Sequence, residues 1–364
     1  MIKKDYMNDV TFKEKSNRRC DQEIKLISPK NGAEIELTNE VVLSFIKGYE
    51  RGLSVSYAFE GDNYEPNCLR LEWQASFEDY SVYVAYEPTF KNPYIFHVKG
   101  LFIDLYTHFY SKTVYWKVVT NNGLCESSVF TFSLERLVEN VYIEGVVNAR
   151  DIGGYVGLDG KKVKRGIIYR GAHLDQITDN GKAFASVHLK ICVDLDLRNE
   201  GEGSASQGYS PLGDKVKHIL RCGCMYTGNN WSGVAHVGKE GVDIPEGARK
   251  LVEELLVFAD SDNFPLYTHC VLGRDRTGTL IGVLLALCGV SKRDIMLDYE
   301  LSFFSKAGGT DKDNALAIIG YFEKVLDYIE TFNGSDLREK TEDFLKLSGM
   351  SETQILAIRK NVLE

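Results

Sequence analysis

The chain has 364 residues, 44% of them apolar and 26% charged, with a formal net charge of −9. That length exceeds one ordinary domain, and the composition is that of a globular protein with ample material for a core. The acidic balance argues against a nucleic-acid binder or broad capture of anionic membranes, no run reaches the length of a membrane span, and eight cysteines are too sparse for a disulfide scaffold.

Residues 1–22 read as a polar lead-in without the apolar stretch of a secretory signal. With a thiol chemistry that needs reducing conditions, this points to the cytoplasm; secretion stays open if a leader has been removed. From 23 to 135 the character is β. Aromatic and β-branched residues alternate with polar ones in Ser81-Val82-Tyr83-Val84-Ala85-Tyr86 and in Thr113-Val114-Tyr115-Trp116-Lys117-Val118-Val119. Turn signals, Asn31-Gly32 and Asn121-Asn122-Gly123, fall between such runs. Short strands at regular spacing imply an all-β sandwich, usually a spacer or a binding module. Pro29, Gly32, Leu71 with Trp73, Tyr83, Tyr115 with Trp116, and Ser128 to Phe132 make it resemble an immunoglobulin-like or fibronectin type III-like domain. A protein or carbohydrate partner would suit such a domain. Its two imidazoles, His97 and His108, read as ordinary surface or packed histidines.

After residue 135 the pattern changes. Ile167 to Ala172 reads as a strand entering a loop, and Asp179 to Val187 as a helix capped by Thr178. Lys190 to Arg198 is a mostly buried strand ending in charge, and Val216 to Leu220 another strand. Glu246 to Asp260 is an amphipathic helix. Then come the apolar run Phe264 to Tyr267, the loop His269-Cys270-Val271-Leu272-Gly273-Arg274-Asp275-Arg276-Thr277-Gly278, and an apolar helix from Leu280. Ser291–Ser305, Ala315–Thr331, Thr341–Leu347 and Glu352–Leu363 are further helical segments, the last capped by Ser351. Strands alternating with helices predict an α/β domain over 136–364 with a central, mainly parallel sheet. Ligands bind such sheets at the C-terminal strand ends, where the Cys270 loop falls.

That loop carries chemistry. A loop feeding a helix N-terminus is an anion site, and a thiol placed there is favoured as thiolate. Amides from Val271, Leu272, Gly273 and Arg274 through Arg276 can converge on one concavity, with Gly273 permitting the tight backbone. Arg276 adds a bidentate clamp matched to phosphate oxygens, which a lysine would not reproduce. Thr277 can donate its hydroxyl to the thiolate, and His269 can orient the loop by hydrogen bonding. The parts suit attack on a phosphate monoester with no metal and no cofactor.

His-Cys-x-x-Gly-x-x-Arg-Thr-Gly resembles the active-site signature of the cysteine-dependent protein tyrosine phosphatases. Asn148-Ala149-Arg150-Asp151-Ile152-Gly153-Gly154, Tyr169-Arg170-Gly171-Ala172, Asp196-Leu197-Arg198 and Asp298-Tyr299-Glu300-Leu301-Ser302 narrow this to the bacterial and fungal tyrosine/serine phosphatases, some of which act on phosphoinositides. The resemblance implies a three-layer phosphatase fold and a phosphocysteine intermediate, with Cys270 as nucleophile and Arg276 as clamp. It implies dual-specificity candidates among substrates. No Trp-Pro-Asp tripeptide is present to supply the general acid. Asp275, inside the loop, is the first choice, and Asp196 the second; Asp275 can equally pair with a neighbouring arginine. Arg274 stands where lipid-directed members often carry lysine. Arg150, Asp151, Arg170 and Arg198 read either as substrate-orienting groups or as braces.

The expected activity is hydrolysis of phosphotyrosine, with phosphoinositides or other small phosphate esters as the alternative. A catalytically silent phosphate-reading module is a different-class alternative, and the spaced Arg276-Thr277 argues against sulfur transfer. Cys222-Gly223-Cys224 lacks the spacing of a zinc site and reads as packing, or as a backup disulfide partner for Cys270. Residues 225–245, with Trp231, read as a flap over the pocket or an irregular excursion.

Overall fold

The computed structural model describes residues 23–57, 65–106, 113–134, 139–221, 246–306 and 314–364. The chain forms two compact units: Met1–Leu37 with Pro66–Arg136, and Thr38–Glu65 with Leu137–Glu364.

In the first unit, β1 (Lys25–Ser28), β3 (Leu69–Gln74) and β6 (Phe102–Leu105) form one antiparallel sheet in the order β1-β3-β6. The second sheet has the order β2 (Ala33–Glu34), β8 (Phe130–Ser133), β7 (Val114–Thr120), β4 (Asp79–Ala85), β5 (Tyr94–Lys99). Only its β2–β8 pair is parallel. Strand alternation does the sorting: Val114, Trp116, Val118 and Thr120 of β7 are buried and the residues between them are half-exposed. Leu26, Leu71 and Ile103 from one sheet share a single core with Val82, Trp116 and Phe132 from the other. Trp73 meets Tyr80 edge-on in that core, with ring centroids 5.2 Å apart. His97 faces out and its Nδ1 lies 3.0 Å from the Ser81 hydroxyl, an ordinary surface imidazole; His108 lies outside the described residues. Cys125 is disulfide-bonded, whereas Cys68, Cys192, Cys270 and Cys288 are free thiols.

The single cut expected near residue 135 does not describe the second unit. Residues 38–57, expected as part of a sandwich, form α1 (Glu40–Lys47) and a short turn of helix, α2 (Ser54–Tyr57), and these pack with the C-terminal half. Asn39 caps α1 through a hydrogen bond from the Val41 amide at 2.9 Å, and Gly48 closes it. Val42 and Phe45, three apart, are its fully buried face.

The second unit is a mixed α/β domain. Its sheet runs β13 (Lys217–Leu220), β12 (Val193–Asp196), β14 (Leu266–His269), β11 (Ile168–Gly171), β10 (Arg150–Asp151), β9 (Glu139–Asn140). The first four are parallel, and the last two are added antiparallel at the edge. Both faces are covered. Ile168, Leu195 and Leu266 enter one core with the C-terminal helices, while Tyr169 and Tyr267 enter another with Ala185 of α3 (Asp179–Val187). Near-continuous burial along β11, β12 and β14 is what a parallel sheet with two covered faces requires.

The helices on the larger core are α4 (Glu246–Leu255), α5 (Asp275–Leu287), α6 (Lys292–Leu301), α7 (Ala315–Ile329), α8 (Leu337–Leu347) and α9 (Glu352–Val362). Every residue of α5 from Thr277 to Leu287 is buried, as an all-round apolar helix must be. It packs against α6, α7 and α8, so its N-terminus is fixed in place. Thr178 caps α3, and Ser351 with Gln354 forms a capping box on α9, both where the sequence places them.

Phe45 packs against Tyr49 and Phe304, with centroids 5.3 and 4.9 Å away. Phe45→Ala should therefore destabilise the second unit by about 3–5 kcal/mol. Hydrogen exchange should report it in β14 and α5 but not in β4 or β7; loosening of β7 instead would contradict the assignment of α1.

Candidate active site

β14 ends at His269, the chain leaves the sheet at Cys270, and α5 begins at Asp275. Between them four successive carbonyls are tied by hydrogen bonds, three of them to groups outside the loop. The Cys270 carbonyl lies 3.1 Å from His269 Nδ1. The Val271 carbonyl accepts from the His173 amide at 3.2 Å. Asn148 Nδ2 donates to the Leu272 carbonyl at 3.0 Å, and Arg170 Nη2 to that of Gly273 at 2.8 Å. In a trans peptide the next N–H points opposite to the carbonyl. The amides of Val271, Leu272, Gly273 and Arg274 are therefore turned away from these anchors, a set of donors suited to an oxyanion. Gly273 has φ +67°, and a Cβ there would stand 2.1 Å from the Gly171 carbonyl oxygen, so only glycine fits.

The anchors are themselves braced. Arg150 Nε donates to Asp298 Oδ1 at 3.0 Å, its Nη2 to the Asp298 carbonyl at 2.7 Å, and its Nη1 to Asn148 Oδ1 at 2.7 Å. Arg170 Nη1 donates to Asp298 Oδ2. Arg150, Arg170 and Asp298 are all buried. Burial works to raise the Asp298 pKa, but the two guanidiniums outweigh it and hold the carboxyl below the usual range. Both guanidiniums are thus engaged within the protein, Arg150 by Asp298 and Asn148, Arg170 by Asp298 and the Gly273 carbonyl. Asp151 is committed elsewhere: its two oxygens accept from the Gly153 and Gly166 amides at 2.8 and 2.6 Å, and burial raises its pKa to about 6.

A second network lies beneath Cys270. His269 Nε2 donates to Asp194 Oδ1 at 2.9 Å, and Asp194 also accepts from Ser210 at 2.7 Å. Burial favours the neutral imidazole, yet the Asp194 charge and hydrogen bond, with Asp196 behind them, raise the His269 pKa to about 8. Asp196 takes Arg198 Nε and Nη2, at 2.9 Å and 2.7 Å, and burial is again outweighed, so its pKa is lowered. Both oxygens of Asp196 are thus engaged by Arg198. Arg198 continues to Asp175 at 2.9 Å and completes a brace.

The structure brings the remaining loop residues together. Cys270 is buried. Asp275 is the first residue of α5. Its Oδ1 accepts from Arg274 Nε and from the Tyr299 hydroxyl, both at 3.1 Å. Arg274 also lies over the Phe303 ring at 5.1 Å, so its guanidinium faces Asp275 and Phe303. Thr277 Oγ1 is buried without a hydrogen-bond partner, which leaves a hydroxyl available near the loop. Arg276 Nη1 and Nη2 donate to the two oxygens of Glu202, at 2.6 and 3.1 Å, and Nη1 also donates to the Leu197 carbonyl at 3.3 Å. Those hydrogen bonds hold the Glu202 carboxyl below its usual range.

A model of the tyrosine phosphatase family matches residues 141–364, more than half of the chain and the whole span of this site. The chain belongs to the tyrosine phosphatase family. Within it, the chain is 30% identical over 146 residues to a tyrosine-protein phosphatase of Nostoc commune; the match spans 36% of this chain and 47% of that protein. Among solved structures, the core catalytic domain of the PP-IP phosphatase SIW14 from S. cerevisiae, in complex with citrate, is 25% identical, covering 41% of this chain and 78% of that one at a TM-score of 0.28. A second SIW14 catalytic core gives 23% identity, 41% and 77% coverage and a TM-score of 0.26.

Reading the sequence missed Asn148, Asp194, Glu202, Asp298 and Tyr299 as site builders. Asn148 sits at φ +61°, a conformation asparagine tolerates better than most, but nothing local announces that. Glu202 comes from a glycine-flanked turn that gives no signal of its partner. Cys222-Gly223-Cys224 and residues 225–245 lie outside the described residues. Among the described residues no cluster of three His, Cys, Asp or Glu is arranged to hold a metal, and no helix is long and apolar enough to cross a membrane.

The imidazolium of His269 sets a pH dependence. A folded pKa of about 8 against 6.5 for the free side chain means its contribution to stability is complete below 6.5 and lost as pH rises through about 8. Glu254, whose pKa burial raises to about 8, works in the same direction, its penalty growing from 4.5 upward. Urea unfolding at about pH 6.5 and about pH 8.5 should show a fall in stability that is smaller in His269→Asn. An equal fall in the variant would show that His269 is not the source.

Proposed function

We propose that the chain is a cysteine-dependent protein-tyrosine phosphatase that hydrolyses phosphate monoesters through a phosphocysteine intermediate. The observation that supports this is the Cys270 loop itself: four successive anchored carbonyls turn the following amides away from their anchors, in the loop that carries the thiol and Arg276. In the first step the Cys270 thiolate forms a bond to phosphorus while the bond to the leaving oxygen breaks. Asp275 delivers a proton to that oxygen. The loop amides and Arg276 hold the three non-bridging oxygens, with Glu202 fixing the guanidinium through its Nη1/Nη2 edge. In the second step a water attacks phosphorus, Asp275 takes its proton, and the sulfur–phosphorus bond breaks. The Thr277 hydroxyl steadies the departing thiolate.

Position favours Asp275 over Asp196: Asp275 opens α5 inside the Cys270 loop and accepts from the Tyr299 hydroxyl, whereas both Asp196 oxygens are taken by Arg198. Phosphotyrosine is the first substrate class. A phosphoinositide or another phosphorylated small molecule is the second, and PP-IP, the class named for SIW14, belongs in the same comparison. The N-terminal unit, with two sheets on one core, supports the reading of a fibronectin type III-like module that engages a protein or carbohydrate partner.

Purified full-length protein should release phosphate from an aryl phosphate in the presence of a chelator, be inhibited by vanadate, and lose activity by at least about a thousandfold in Cys270→Ser. Turnover that survives in Cys270→Ser would overturn the mechanism. Parallel assays with phosphotyrosyl peptide, phosphoseryl peptide and phosphoinositide then rank the substrate classes.

Asp275→Asn should slow alkyl phosphates by about 10²–10⁴-fold and esters of acidic phenols much less. Equal losses across leaving groups would remove Asp275 as the acid.

A further inference from the structure

We infer that Glu300 is a positioning residue for the phosphate loop, and that residues 40–57 of the second unit hold it in register. The kinetic part of this inference rests on the phosphatase reading above; the geometric part does not.

Glu300 is fully buried in the last turn of α6. That is the helix end where the backbone dipole disfavours a carboxylate. Its donors come from a segment some 250 residues earlier. The Gly52 amide donates to both oxygens at 3.0 Å, the Tyr49 hydroxyl to Oε1 at 2.9 Å, and the Ser54 hydroxyl to Oε2 at 2.6 Å. The segment is fixed at its other end by Phe45 against Phe304. Arg293, also on α6, lies 5.2 Å from the Tyr49 ring.

The two residues before Glu300 face the loop. Asp298 takes Arg150 and Arg170, and Arg170 carries the Gly273 carbonyl. Tyr299 donates to Asp275 and is stacked on Phe322, centroids 4.0 Å apart and planes 7° from parallel. Consecutive helical residues point about 100° apart. The same half-turn therefore holds the loop with residues 298 and 299 and is itself held by residue 300. A slide or rotation of this helix end would shift the Gly273 carbonyl and the Asp275 carboxyl together. Of the connections to the segment, the Ser54 hydrogen bond to Glu300 is buried and those of Tyr49 and Gly52 are part-buried, whereas Arg51 to Glu323, at 2.6 Å, is exposed and screened.

The test uses the full chain with Glu300→Gln, Ser54→Ala and Tyr49→Phe, each assayed well below its own unfolding midpoint. Misplacement of the loop predicts a fall in kcat of about tenfold in Glu300→Gln and severalfold in Ser54→Ala, with KM moving less. It also predicts faster hydrogen exchange of the 270–276 peptide in all three variants, a readout that needs no substrate. If kcat, KM and loop exchange stay within twofold of the parent chain, the inference is overturned, even where the melting temperature falls. If Glu300→Gln does not fold, Ser54→Ala and Tyr49→Phe decide. A parent chain without activity on any ester would defeat the phosphatase reading alone, and the exchange experiment would still decide the positioning role.

Discussion

Asp298 carries a charge with no access to water, and two arginines from neighbouring strands converge on it. Removing a carboxylate and two guanidiniums from solvent is expensive, and their mutual attraction compensates only if geometry is tightly kept. Here it is kept by packed secondary structure on three sides: β10, β11 and the end of α6 each supply one partner. The product is a rigid post behind the phosphate loop. Arg170 uses one nitrogen for Asp298 and the other for the Gly273 carbonyl, so the loop inherits the rigidity of the buried pair. Remove Asp298 and two buried cations lose their counter-charge at once; the loop would lose its support along with the core.

The site has a graded electrostatic design. Asp194 and His269 form a buried layer beneath Cys270, Asp196 and Arg198 a layer beside it, and Glu202 with Arg276 a partly buried layer at the rim. The inner layers are screened little by salt and set geometry. The rim pair is reachable by solvent, and it is the pair whose cation the chemistry would share with substrate. The inner and rim layers use the same residue types, and burial separates them.

That separation explains what the sequence could and could not disclose. The placement of Cys270, Gly273 and Arg276 was legible because their spacing sets them in one stretch between a strand and a helix. α3 and α9 were legible because Thr178 and Ser351 cap locally. The braces were named, but their direction was not, since Arg150 meets Asp298 across 148 positions. Glu202 and Asn148 act through tertiary contacts that no local pattern encodes. α1 was misread because Val41, Val42, Phe45 and Ile46 favour strands by composition; the Asn39 cap, the Gly48 stop and the three-residue spacing of Val42 and Phe45 were the better signals.

The sequence excursion from Thr38 to Glu65 has a consequence for biosynthesis. The first unit is built from pieces on either side of it, and the second unit from pieces on either side of the first unit's longer piece. During translation α1 and α2 emerge long before the helix that carries their acceptor, Glu300. Domains that emerge early ordinarily fold early. Here the first unit can close around its own strands while α1 and α2, already outside the ribosome, wait for the last third of the chain. The two units are therefore interleaved in the gene, and no single cut yields either of them whole.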